Sequence, residues 1–186
     1  TVSITSNRTL HAMWTSLEDR AWDKNNTNAG YAFLNNAGDP VMPTLSSQAW
    51  TLEAWVRPDT IPSGWTPLLG QQDDSNLATG RNNIWLDGGQ IKLLSPSSPT
   101  AEHPTGVFLS ASHWTHIAWV MTTTTSAEFY VNGSLAWSGS MTRSNSGPFF
   151  TVGGTRQGGA GAPSFDGQID QVKVWGAALT STQVAN

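Results

Sequence analysis

Residues 50–57, Trp-Thr-Leu-Glu-Ala-Trp-Val-Arg, alternate with a period of two: Trp50, Leu52, Ala54 and Val56 share one face, and Thr51, Glu53, Trp55 and Arg57 the other. Successive side chains of a strand point to opposite sides, so this stretch is a half-buried strand and not a helix face. Pro58-Asp59 stops it. Asn83 to Asp87 and Gln90 to Leu94 are two further strand patterns around Asp87-Gly88-Gly89, where glycine supplies the positive φ of a tight hairpin turn. Trp114 to Met121 reads as another strand. Ala127 to Val131 then runs into Asn132-Gly133, the strongest two-residue hairpin signal. Phe129 and Val131 are expected inward, Glu128 and Tyr130 outward.

Phe149 to Val152 and Ile169 to Trp175 complete the clear strands, and the Gly-rich run 153–163 between them reads as a long exposed loop. Thr180-Ser181-Thr182-Gln183 has capping-box spacing, which predicts a short C-terminal helical turn. The first 45 residues scatter Trp14, Trp22, Tyr31 and Phe33 among polar residues and give only loose strands, with 1–32 the least defined. Short strands, repeated turn signals and no crossover helices predict an all-β chain: an antiparallel two-sheet β-sandwich or jelly roll, folded as one domain over 1–186. No repeat at a propeller or solenoid period occurs. Charged residues make up only 12% of the chain, and ten tryptophans stand in it, a composition that suits a β-rich extracellular protein better than a helical cytosolic enzyme.

The net charge of −4 comes with no Lys/Arg cluster, so the footprint of a nucleic-acid binder is missing. No stretch of about 18 apolar residues exists to span a membrane. Zero cysteines exclude disulfides, thiolate metal sites and a Cys nucleophile. Three sequons begin at Asn7, Asn25 and Asn132; the richness in Asn, Ser and Thr accounts for them as well as glycosylation does. A start at Thr1 with no charged and apolar leader reads as a processed or excised fragment.

Three segments in order resemble the laminin G-like and pentraxin-like branch of the concanavalin A-like domains. Trp50-Thr51-Leu52-Glu53-Ala54-Trp55-Val56-Arg57-Pro58 looks like the early strand of that family. Trp114-Thr115-His116-Ile117-Ala118-Trp119-Val120, with Phe129-Tyr130-Val131-Asn132-Gly133-Ser134-Leu135, is similar to its central strand pair. Residues 165–175, leading to Ala178-Leu179-Thr180, resemble its closing strand and terminal turn. The resemblance covers roughly residues 33–184 and implies a concanavalin A-like sandwich. Members are mostly carbohydrate-binding or adhesion modules of extracellular proteins, sometimes with calcium at the sheet edge; a minority of the wider fold are glycan hydrolases or lyases.

Glycan cleavage needs two carboxyls at set separations, and the acidic residues of this chain are isolated: Glu53 and Glu128 stand alone, and Asp166 and Asp170 are four apart. No Gly-x-Ser-x-Gly elbow occurs. His113 and His116, three apart on a strand end, face opposite sides and make a poor metal pair. With two tyrosines, Tyr31 and Tyr130, nothing marks a lyase site. Asp73, Asp74 and Asn76 lie in an inter-strand loop where, by the resemblance, a calcium ligand would stand; a solvated Asp/Asn-rich turn is the simpler reading.

Sugars offer apolar CH faces and hydroxyls, so a glycan site pairs an exposed aromatic with polar side chains. Trp50, Trp114 and Trp119 are assigned to the core or to sheet packing, and Trp65, Trp85 and Trp55 are the candidates for exposure. The candidate ligand-binding residues are Trp65, Asp74, Arg81, Trp85 and Arg156, with the arginines able to hold an anionic sugar in a guanidinium fork. The expected function is a non-catalytic lectin-like module that attaches an extracellular, secreted or particle-surface protein, a virion or phage included, to glycans or a glycosylated receptor. Oligomerisation would come through the parent protein. A protein-adhesion or receptor-binding domain of the same fold is the alternative, and a glycan hydrolase or lyase the third.

Overall fold

A computed structural model describes residues 8–9, 22–24, 32–35, 49–72, 82–95, 101–142, 149–154 and 164–185. Among them the chain forms β1 (Arg8–Thr9), β2 (Trp22–Lys24), β3 (Ala32–Asn35), β4 (Trp50–Pro58), β5 (Thr66–Gln72), β6 (Asn82–Asp87) and β7 (Gln90–Ser95). It continues with β8 (Ala101–Phe108), β9 (Thr115–Met121), β10 (Ser126–Val131), β11 (Ser134–Ser140), β12 (Phe149–Val152), β13 (Gly167–Trp175) and the helical turn α1 (Ser181–Val184). A seven-stranded sheet runs β1-β13-β4-β9-β10-β11, with β2 also on β13, and a six-stranded sheet runs β3-β12-β5-β6-β7-β8. Every pairing is antiparallel. This is the expected two-sheet sandwich.

The core follows from the alternation. Trp50, Leu52, Ala54 and Val56 of β4 are fully buried, as are Ile117, Trp119 and Met121 of β9 opposite them. Trp50 and Trp119 meet edge to face at 4.8 Å between ring centroids, an arrangement the aromatic quadrupole favours. From the other sheet come Leu68, Ile84, Leu86, Ile91, Leu93 and Phe150. Phe129 is in the core and Val131 packs against it, while Glu128 and Tyr130 stand on the outer face, where the Tyr130 hydroxyl donates to Glu128 at 2.6 Å. Burial and that bond push the Tyr130 hydroxyl up to about 12.

The hairpin expected at Asn132-Gly133 joins β10 to β11, with φ of 48° and 77° at the two residues, the left-handed pair that a two-residue turn requires. Beyond the first 45 residues, where β1, β2 and β3 fall among the loosely read strands, β5, β8 and β11 were not legible as such. Beyond β13 the chain folds back over the outer face of the seven-stranded sheet. Thr51 donates to the Ala177 carbonyl at 3.0 Å and accepts from the Leu179 N–H at 2.9 Å. Ala178, Leu179 and Val184 then cover Ala118, Val120 and Tyr130. The capping box at Thr180 is present, with its side chain and that of Gln183 each bonded to the other's backbone N–H. No helix among the described residues is long and apolar enough to cross a membrane.

Candidate functional site

The C-terminal segment covers only half of that outer face. On the other half, Trp55 of β4 is 37% exposed and Trp114, just before β9, is 40% exposed. The reading of Trp114 as a core or sheet-packing residue is therefore corrected. Thr115 is opposite Val56 in the register, so Trp114 and His116 flank it on the outward side. Trp114 and Trp119 are five apart and cannot share a face of one strand, a parity already present in the sequence.

Polar groups edge the two indoles. Arg57 donates to Asp59 at 3.0 Å and to Gln168 at 3.1 Å. Asp166 accepts from the Thr60 hydroxyl at 2.9 Å, tying the loop after β4 to the start of β13. Asp170 lies opposite Trp55 on β13. On the far side the Asn132 side chain accepts the His116 N–H at 2.9 Å, and the His116 ring lies against Trp55 at 5.3 Å.

Beneath this face sits Glu53, nearly fully buried. Its carboxylate takes Lys173 at 3.2 Å, His116 at 3.5 Å and the Trp175 indole N–H at 3.1 Å. Burial pushes its carboxyl up, but His116, Lys173 and Trp175 outweigh that and hold it below its ordinary value. The charge is thus used inside the sheet face, where it fixes His116 and through it the Trp55 ring. His116, expected to be satisfied by hydrogen bonds, is held in this way.

On the six-stranded sheet the structure brings two sequence-predicted residues together. Trp65 and Trp85 meet at 5.9 Å, and the Lys92 ammonium lies 4.6 Å over the Trp65 ring, tied in turn to Asp87 and to Glu102 at 3.6 Å. Hydrogen bonding to Asp87 leads the effects that raise the Lys92 pKa. Trp65 stays half exposed, whereas Trp85 is only 7% exposed. Trp85→Ala is accordingly expected to cost about 3–5 kcal/mol of folding stability, a cavity effect, so it cannot by itself report on ligand contact. Thermal unfolding of the variant checks this, and an unchanged midpoint would show the side chain to be dispensable for packing. Asp73, Asp74, Asn76, Arg81 and Arg156 lie outside the described residues. Among the described residues no three His, Cys, Asp or Glu gather as a metal site.

The sequence profile of the concanavalin A-like lectin/glucanases superfamily matches residues 26–185. The chain belongs to that superfamily. No curated protein sequence matches it. Among solved structures, superfamily folds recur at low identity. A heptameric SAP-like pentraxin from Limulus polyphemus is 18% identical at a TM-score of 0.61, covering 89% of this chain and 78% of that one. Domain 4 of an extracellular arabinanase from Geobacillus stearothermophilus, solved with arabinotriose, is 20% identical at 0.57, covering 86% and 88%. A Trypanosoma rangeli sialidase is 20% identical at 0.65, covering 85% of this chain but 25% of that one. These likenesses show the fold; within the sialidase the chain spans about a quarter of the length.

Proposed function

We propose that this superfamily member is a non-catalytic carbohydrate-binding module that holds glycans on the outer face of its seven-stranded sheet. The observation that carries the reading is the pair Trp55 and Trp114, two large indoles left open to solvent on one strand face and edged by Arg57, Gln168, Asp170 and Asn132. Exposed aromatics beside hydrogen-bonding side chains fit the apolar and hydroxyl-bearing faces of a sugar. The isolated carboxylates, with Glu53 spent on Lys173, His116 and Trp175, favour binding over cleavage. The arabinanase domain solved with arabinotriose supports the same class of ligand. Attachment of a secreted or surface-displayed parent protein to glycans, strengthened by multivalent display, is the role this reading gives the chain.

Trp55→Ala is expected to weaken binding to the best ligand of a glycan array at least tenfold, about 1.4 kcal/mol, with no shift in the thermal unfolding midpoint. Full affinity in this variant would remove the face from the binding site. The half-exposed Trp65 ring, backed by the covered Trp85, favours a second contact on the opposite sheet, with Asp74, Arg81 and Arg156 as its rim. Calcium enters through Asp73, Asp74 and Asn76, and loss of binding in chelator is its signature. A silent array would favour adhesion to a protein receptor, for which the exposed Phe108 and Leu135 are the contacts.

A further inference from the structure

Resting on the glycan-binding reading above, we infer that the Trp55–Trp114 face takes the interior of a neutral glycan chain, two rings at once, and not a terminal or anionic sugar. Trp55 is opposite His116, and Trp114 is two residues before it on the same outward side. Such diagonal neighbours on adjacent antiparallel strands lie about 7–8 Å apart, with their Cβ atoms somewhat closer. The ring contact of Trp55 is with His116, and none joins it to Trp114 among the described residues. The two indoles are therefore separate stacking surfaces set side by side, with room for one sugar ring on each.

Recognition of a chain end calls for a pocket that encloses the last sugar, and ligand pockets that do so are concave. These indoles stand instead on the pleated surface of a sheet. The C-terminal segment walls that surface at one margin, bonding to Thr51 and reaching the Asn132-Gly133 turn, where Ala185 lies beneath Gly133. Polar groups stand on both flanks of the aromatic pair, Arg57 and Gln168 on one and Asn132 on the other. A ligand that lies along the face, with hydroxyls on both its edges, fits this layout.

The charges argue for a neutral chain. Arg57 is held by Asp59 and Gln168, and Lys173 and His116 both turn to Glu53. No cation of this face is left without a carboxylate partner among the described residues, and Asp170 adds a negative charge beside Trp55. A carboxylated or sulfated sugar would have to break one of these pairs to find a counter-charge.

Titration calorimetry with mono-, di- and trisaccharides of the backbone selected on the array tests the inference. Affinity is expected to rise at least tenfold from mono- to trisaccharide, and to be unchanged when both ends of the trisaccharide are capped. Trp55→Ala and Trp114→Ala should each lower trisaccharide affinity at least tenfold, while Trp55→Phe and Trp114→Phe, which keep a flat stacking surface, should retain most of it. Circular dichroism of each variant verifies the fold. A uronic-acid chain of the same length should bind at least tenfold more weakly. A monosaccharide as tight as the trisaccharide, or binding abolished by end capping, would overturn chain-interior recognition yet leave glycan binding standing. Equal affinity for the uronic-acid chain would overturn the neutral assignment. No binding to sugars of any length would bring down the glycan reading itself, and this inference with it.

Discussion

Gly167→Ala is expected to lower folding stability by more than about 4 kcal/mol, at the extreme end of single substitutions, and to remove the Arg57 contacts of the candidate site with it. Gly167 opens β13 at φ 150°, a conformation that side-chain-bearing residues rarely adopt. A Cβ there would lie 2.3 Å from the Arg57 carbonyl oxygen and 2.8 Å from the Pro58 Cα, both backbone atoms of the paired strand β4. Backbone cannot swing aside as a flexible side chain does, so the β4–β13 register must shift, and Gln168, the Arg57 partner, is the next residue along. At about 2–4 °C per kcal/mol for a domain of this size, the melting temperature should fall by about 10 °C or more. A wild-type midpoint in Gly167→Ala would show that the two strands do not approach as closely as described.

The second large effect is expected at Trp119. Truncation to alanine removes a fully buried indole from the centre of the core, where it packs on Trp50, and large-to-small changes of this kind cost about 3–5 kcal/mol. Among the described residues the indole N–H of Trp119 has no hydrogen-bond partner, so Trp119→Phe removes an unsatisfied buried donor while keeping most of the apolar volume. Chemical denaturation should therefore rank the variants wild type, then Phe, then Ala, with the Phe variant well inside the gap. Equal losses in both variants would mean that the N–H is satisfied and that its bond, not the ring, carries the stabilisation. Glycan affinity, by contrast, should survive Trp119→Phe, because Trp119 faces the core and the candidate site lies on the outward side of the same strand.

What the chain determines by itself is the local pattern. Period-two alternation assigned Trp50, Leu52, Ala54 and Val56 to the core, Asn132-Gly133 placed a hairpin, and Thr180 with Gln183 placed the terminal helical turn, because each depends on residues a few positions apart. The strands β5, β8 and β11 escaped for an equally physical reason. β5 contains Pro67 and Gly70, β8 carries Pro104 and Gly106, and β11 is Ser-Leu-Ala-Trp-Ser-Gly-Ser, so their local preferences oppose the strands that pairing imposes. Burial of polar groups was beyond reach as well: Gln71, Asn82 and Ser95 are nearly fully buried with side-chain atoms that lack a partner among the described residues, although nothing in their residue types announces it.

The candidate site divides in the same way. Alternation put Trp55 on the polar face, and parity on the next strand could have put Trp114 there too. The sequence could not tell which outward tryptophans stay open, since Trp55 and Trp114 remain exposed while Trp85, equally outward on its own strand, is covered, with Trp65 against it. Nor could it show that residues 176–185 return across the sheet to bury Ala118, Val120 and Tyr130 and leave the Trp55 half uncovered. Which way a side chain points is set by its own strand. Whether anything lies on top of it is set by contacts between residues more than a hundred positions apart, as between Thr51 and Leu179, and only the tertiary structure decides those.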